Sequence, residues 1–197
     1  DDNSPAGMAL ASQDYARFLE YDFGWEDRFY LVGFSSPEKE WPYVLPGPKD
    51  GWGGTGPTSG IRSHFLSVLF DIKARPQNCD FNLIVDILDN DSKFPPLFKV
   101  LVNGQPWKFQ LEKGSGTELP KDISSPQGKI IEIPITPELL KKGANEIQLT
   151  TLQGGWLVFD QVRLEASDKV ELSDPEKMFL RNVKAANYEI QENGKQF

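Results

Sequence analysis

Two stretches of strict alternation constrain this chain more than anything else in it. From His64 to Ala74, Leu66, Val68, Phe70 and Ile72 point to one side while Ser67, Asp71 and Lys73 point to the other. Phe81, Leu83, Val85 and Ile87 repeat the arrangement, with Asn82 and Asp86 opposite. A period of two marks a strand with one buried face. Further strand-like runs, separated by turn residues, span Tyr15 to Phe23, Arg28 to Phe34, Leu97 to Val102, Gln105 to Glu112, Lys129 to Ile135, Asn145 to Leu152 and Trp156 to Glu165. With helical patterns nearly absent, the chain is expected to be all-β, a sandwich of two antiparallel sheets.

Turn chemistry refines this reading. Asn103-Gly104, between Val102 and Gln105, predicts a two-residue hairpin, because both residues tolerate the positive φ of a type I′ turn. Thr136 to Gly143 carries helix signals: Thr136 as a cap, Pro137 in the first turn, Lys141 and Lys142 at the end and Gly143 as the stop. A short helix is expected there. In the last long strand Trp156, Val158, Val162 and Leu164 share one parity, and Asp160 falls among them. A carboxylate on that face has to be hydrogen-bonded, paired, bound to a cation or turned outward by a bulge.

Charge and composition exclude several functions. The net charge is −8, with no basic stripe, which argues against nucleic acid as a partner. An anionic polymer would be repelled by the molecule as a whole, so recognising one needs a local cluster such as Lys39, Lys49 and Arg62. Cys79 is the only cysteine and His64 the only histidine, which excludes an internal disulfide, a CxxC metal site and a site of several imidazoles. No apolar run reaches the length of a membrane span, so no membrane partner is expected. Neither a nucleophile elbow, a phosphate-binding glycine loop nor a zinc-protease helix motif is present. Asp22, Glu26, Asp27 and Asp50 flank aromatics and are the acids that a glycosidase pair would draw on, and His64 is the residue that a lyase base would need.

Binding is the better-supported chemistry. The stretch from Ser35 to Arg62 reads as one long loop without strand or helix, rich in Gly and Pro and carrying Trp41, Tyr43 and Trp52. Loops beyond about 12–15 residues tend to be functional or disordered, and three large aromatics argue against disorder. Sugar rings present apolar C–H faces rimmed by hydroxyls, which flat aromatics beside polar side chains can meet. Trp41, Tyr43 and Trp52 are therefore the expected platforms, with Glu40, Asp50, Arg62 and His64 as polar partners. Trp25 and Trp107, in or beside strands, are assigned to the core or the sheet surface.

The segments VLVNGQ, KIIEIPITPELLKKGANEIQLT and GGWLVFDQVRLE resemble the closing strands of the galactose-binding-like jelly-roll domain at the C-terminal end of rhamnogalacturonan lyases and related polysaccharide-degrading enzymes. The likeness covers His64 to Glu165; the Pro/Gly/Trp loop departs from the family pattern. It implies a jelly-roll sandwich and a non-catalytic, carbohydrate-binding accessory role beside a covalently linked glycoside hydrolase or polysaccharide lyase, secreted or periplasmic, with a polysaccharide or oligosaccharide as ligand. No catalytic residue is carried over. Modules of this kind often hold a structural calcium, for which no ligand set is assigned; no other cofactor is implied. A spacer whose loop packs on a catalytic domain, and an independent polysaccharide lyase or hydrolase, stay open as alternatives. The expected organisation is a tail over 1–14, the sandwich over 15–165, and a linker with the start of a following domain over 166–197.

Overall fold

The computed structural model describes residues 28–42, 44–50, 65–77, 79–116, 128–174, 191–192 and 195–196. Its strands are β1 (Arg28–Leu31), β2 (Val44–Leu45), β3 (Phe65–Ile72), β4 (Phe81–Asn90), β5 (Leu97–Val102), β6 (Gln105–Gln110), β7 (Lys129–Ile135), β8 (Gly143–Gln153), β9 (Leu157–Ala166), β10 (Leu172–Ser173), β11 (Gln191–Glu192) and β12 (Lys195–Gln196). One sheet has the order β1-β3-β8-β5-β6, with β10 also on β3; the other has the order β2-β9-β4-β7, and β11 pairs with β12. The two larger sheets form a β-sandwich of jelly-roll type. Pairing is antiparallel apart from β1, which runs parallel to β3 with Arg28 opposite Leu66 and Leu31 opposite Leu69.

The alternation seen in the sequence builds the core directly. Leu66, Phe70, Phe98, Val100 and Leu149 of the first sheet meet Leu83, Val85, Ile87, Ile133 and Phe159 of the second, all buried. Burying such a side chain stabilises by about 1.5–3 kcal/mol relative to exposure. β9 keeps this face through a bulge. Gln161 pairs with Asp86 and Phe159 with Ile87, so Asp160 falls in the register shift, and the inward parity passes from Leu157 and Phe159 to Val162 and Leu164. The bulge takes Asp160 off the core-facing parity.

Two local expectations are corrected. Residues 35–50 are not featureless: α1 (Pro37–Glu40) forms one helical turn and β2 pairs with Leu157 and Val158 of β9. Pro37 presets the first turn. Glu40 reaches back to accept from the Ser36 N–H at 2.6 Å and from Ser35 Oγ at 3.1 Å. Between β7 and β8, the expected helix is only a 3-10 turn over Pro137–Leu139, with no side-chain cap from Thr136. Asn145 supplies the reason. Its Oδ1 accepts from the Lys141 N–H, and its Nδ2 donates to the carbonyls of Lys141 and Gly143, groups that a longer helix would need for itself. Gly143, at φ +80°, then opens β8 instead of closing a helix.

The Asn103-Gly104 hairpin forms as expected, with φ of +48° and +92°. The chain beyond Glu165 stays on the sandwich as far as Ser173. Ser167 exchanges hydrogen bonds with Asp80, β10 pairs with Asp71 and Ile72, and Lys73 meets Glu171 at 3.0 Å. The expected strand from Tyr15 to Phe23 lies outside the described residues. No helix among the described residues is long and apolar enough to cross a membrane.

Candidate functional site

The pairing registers gather several connections at one end of the sandwich. Asn90 pairs with Leu157, Leu97 with both Gln153 and Gln110, and Leu45 with Leu157. The segments that begin at Pro46, Asp91, Leu111 and Gly154 therefore all leave from that end.

Backbone hydrogen bonds lock these segments together. The Lys49 N–H donates to the Gly154 carbonyl at 3.0 Å, Gly155 N–H to Phe94 at 2.8 Å, Asp91 N–H to Trp156 at 3.0 Å and Ser92 N–H to Gly116 at 2.8 Å. Backbones this close leave no room for side chains. A Cβ on Gly47 would strike the carbonyls of Gly154 and Gly155, and one on Gly114 the carbonyl of Asn90. Sequence here dictates close approach rather than turn flexibility.

Carboxylates staple the same region. Asp91 Oδ1 accepts from the Lys93 and Phe94 N–H groups at 2.7 and 2.9 Å. Asp89 Oδ1 accepts from the N–H groups of Asn90 and Ser115, and its Oδ2 from the Ser115 hydroxyl. Asp50 Oδ2 accepts from the Gly47 N–H at 2.7 Å, while the Asp50 N–H donates to the Gly47 carbonyl at 3.0 Å. Burial pushes the Asp50 carboxyl up to about 7, against the Gly47 hydrogen bond that pulls it down, and the charge of Asp91 adds to the upward push. Asp50 thus changes charge near neutrality.

On this locked frame stands Phe94, 38 % exposed. Lys93 Nζ lies 5.2 Å and Lys49 Nζ 5.7 Å from its ring centroid, within the range of a cation–π contact. Phe94 is not among the residues singled out from the sequence. The signal was present in Lys93-Phe94-Pro95-Pro96, an aromatic held between a cation and two stiff residues.

The sequence-predicted residues divide. Asp50 and Lys49 sit at the loop end. Trp41 does not stand free: its ring meets Tyr30 of β1 edge-on at 5.1 Å and Phe159 of β9 at 5.6 Å, half-buried against the core. It closes the gap between the two sheets at their β1/β2 edge. Glu40 is engaged with Ser35 and Ser36. Trp107 is half-buried against the core, as assigned. Tyr43, Trp52, Arg62 and His64 lie outside the described residues, as do Asp22, Trp25, Glu26 and Asp27 and the side chain of Lys39.

Toward the other end, the sheets leave a cavity of about 290 Å³ lined by residues such as Phe70, Ile72, Phe81, Val162, Leu164 and Leu172. With no polar side chain among the described residues that line it, this cavity does not suit a hydroxyl-rich ligand. The carboxylate cluster that a structural calcium favours is not found among the described residues. Calcium takes six to eight oxygen ligands, yet no three Asp, Glu, His or Cys side chains come together among them as a metal site. Asp89 and Asp91 Oδ1 are spent on amides and a hydroxyl.

Among curated proteins none matches this chain. Among solved structures it is similar to a family 35 carbohydrate-binding module from an environmental isolate, at 14% identity and a TM-score of 0.36, over 57% of this chain and 72% of that one. The family 35 module of Cellvibrio japonicus Abf62 matches at 12% identity and a TM-score of 0.30, over 54% and 73%. A β-porphyranase of glycoside hydrolase family 86 from the human gut bacterium Bacteroides plebeius matches at 18% and 0.30, over 57% of this chain and 22% of that one. Likeness at this level carries no argument about ligand or activity. The family model for the CBM-like domain III of polysaccharide lyase family 4 matches residues 1–164. With most of its length inside that match, the chain belongs to the CBM-like domain III family of polysaccharide lyase family 4.

Proposed function

We propose that this chain is a non-catalytic carbohydrate-binding module that serves a larger, secreted or periplasmic glycan-degrading enzyme, and that it holds saccharide at the loop end of the sandwich. One observation carries the location: the 47–50, 91–96 and 154–156 backbones are fastened into a single rigid surface there. A prefixed surface loses little entropy when a ligand docks.

The segment bearing Trp52, Arg62 and His64 leaves this surface after Asp50 and returns at Phe65, the first residue of β3. Covalent connection ties both its ends to the loop end. In this reading Trp52 and Tyr43 offer ring faces, Asp50, Arg62 and His64 meet hydroxyls, and Trp41 serves the scaffold.

Calorimetric titration of the chain with plant-cell-wall oligosaccharides tests this. Binding that is lost in Trp52→Ala, with unchanged thermal stability, is expected. Absence of heat with every oligosaccharide, together with rings protected only in the full-length enzyme, contradicts it and favours a spacer.

A further inference from the structure

We propose that Phe94, Lys49 and Lys93 form an acid-reading stacking platform, a subsite that takes a sugar residue bearing a carboxylate or a sulfate ester. The inference rests on the carbohydrate-binding reading and deepens it.

A lone exposed aromatic ordinarily needs no explanation. Phe94 differs in how it is held. Its own N–H is fixed by Asp91 Oδ1 and its carbonyl by the Gly155 N–H, and Pro95 and Pro96 follow it. A Cβ on Gly154 would strike the carbonyls of Phe94 and Pro95, so the turn has no slack. The ring is therefore presented in a fixed place, as a stacking surface requires.

Two exposed ammonium groups from separate loops stand at that ring. In a chain of net charge −8, these two ammoniums are exposed while the neighbouring carboxylates of Asp50, Asp89 and Asp91 are buried. Phe has no hydrogen-bonding handle, so it offers only its face to the C–H side of a pyranose. Lysine is a compact charge on a flexible stem that can swing from ring face to ring rim. A sugar with an anionic substituent satisfies both parts: its apolar face covers Phe94 while its acid group meets the ammoniums. A neutral sugar would cover the ring and displace the lysines without recompense.

The test is calorimetry at low and high salt with three probes of equal length: an oligogalacturonate, a sulfated galactan oligosaccharide and a neutral galactan oligosaccharide. At low salt, one acidic probe should bind about fivefold or more tighter than the neutral one, a preference that shrinks as salt rises. The double variant Lys49→Gln/Lys93→Gln should bring the acidic probe down to the level of the neutral one, and Phe94→Ala should weaken the acidic probe about tenfold. Whichever acidic probe is preferred identifies the acid group. Equal affinity for acidic and neutral probes, untouched by these variants but abolished by Trp52→Ala, overturns the subsite and leaves the carbohydrate-binding reading standing. Failure of all three probes overturns the subsite, and the wider reading then falls only if other oligosaccharides also fail.

Discussion

Asn103 Nδ2 donates to Asn145 Oδ1 at 2.8 Å, joining the β5–β6 hairpin to the turn that opens β8. Asn103 also donates to the Leu139 carbonyl and accepts from the Glu146 N–H. Asn145, 2 % exposed, completes its own set on Lys141 and Gly143. Two amide side chains thus hold one end of the sandwich closed.

Removing one of them strands buried backbone groups. Asn145→Ala should cost about 3 kcal/mol, because several polar groups lose their partner at once. Urea unfolding followed by tryptophan fluorescence reads this as a lower midpoint at constant slope. A change under 0.5 kcal/mol would show that the network is dispensable.

Asp50 should make stability depend on pH. Its folded value, about 7, lies above the ordinary 3.8, so the folded chain binds the extra proton between these values. Stability is full below pH 4, falls on the order of 4 kcal/mol as pH rises to about 7, and is level above. Asp50→Asn keeps a carbonyl for the Gly47 N–H and has no charge to bury. Thermal melts from pH 4 to 8 should show that decline flattened in the variant and the variant more stable at pH 8.

Trp41 and Trp52 should separate cleanly. Trp41→Ala removes the ring between Tyr30 and Phe159 and should cost about 2–3 kcal/mol, while saccharide affinity at saturating fold stays within twofold. A loss of binding matching that of Trp52→Ala would return Trp41 to the ligand surface.

Gly114→Ala drives a methyl into the Asn90 carbonyl. Relief requires the 111–116 segment to move from β4, so stability should drop by more than 2 kcal/mol. Amide exchange at Ser115 and Ser92 should rise, because the Ser115 N–H is held by Asp89 and the Ser92 N–H by the carbonyl of Gly116 in the displaced segment. Unchanged exchange there would contradict the close-approach account.

Much of the scaffold was legible because period-two alternation is a local signal: Leu66 to Ile72 and Phe81 to Ile87 read off directly as core-facing strands, and Asn103-Gly104 announced its hairpin. What was hidden depends on long-range partners. β2 is two residues long and exists only because Leu157 and Val158 are there to pair with it. The turn after β7 carried strong helix signals, and Asn145, beyond its end, outcompeted them. At the site, residue type suggested that every tryptophan in the aromatic loop was a platform, but Trp41 found Tyr30 and Phe159 across a sheet edge. Phe94 was missed for the converse reason: its lysine partner Lys49 lies far off in sequence, and only the fold brings the two together.

The central claim is that saccharide docks on the fastened loop end. Amide chemical-shift mapping during titration with an acidic oligosaccharide tests it most directly. The account predicts saturable shifts centred on Lys49, Asp50, Lys93, Phe94, Gly154 and Gly155, with the Asn103–Asn145 end unmoved. Saturable shifts confined to the sheet faces or to the Asn103–Asn145 end, with the loop end silent, would contradict it.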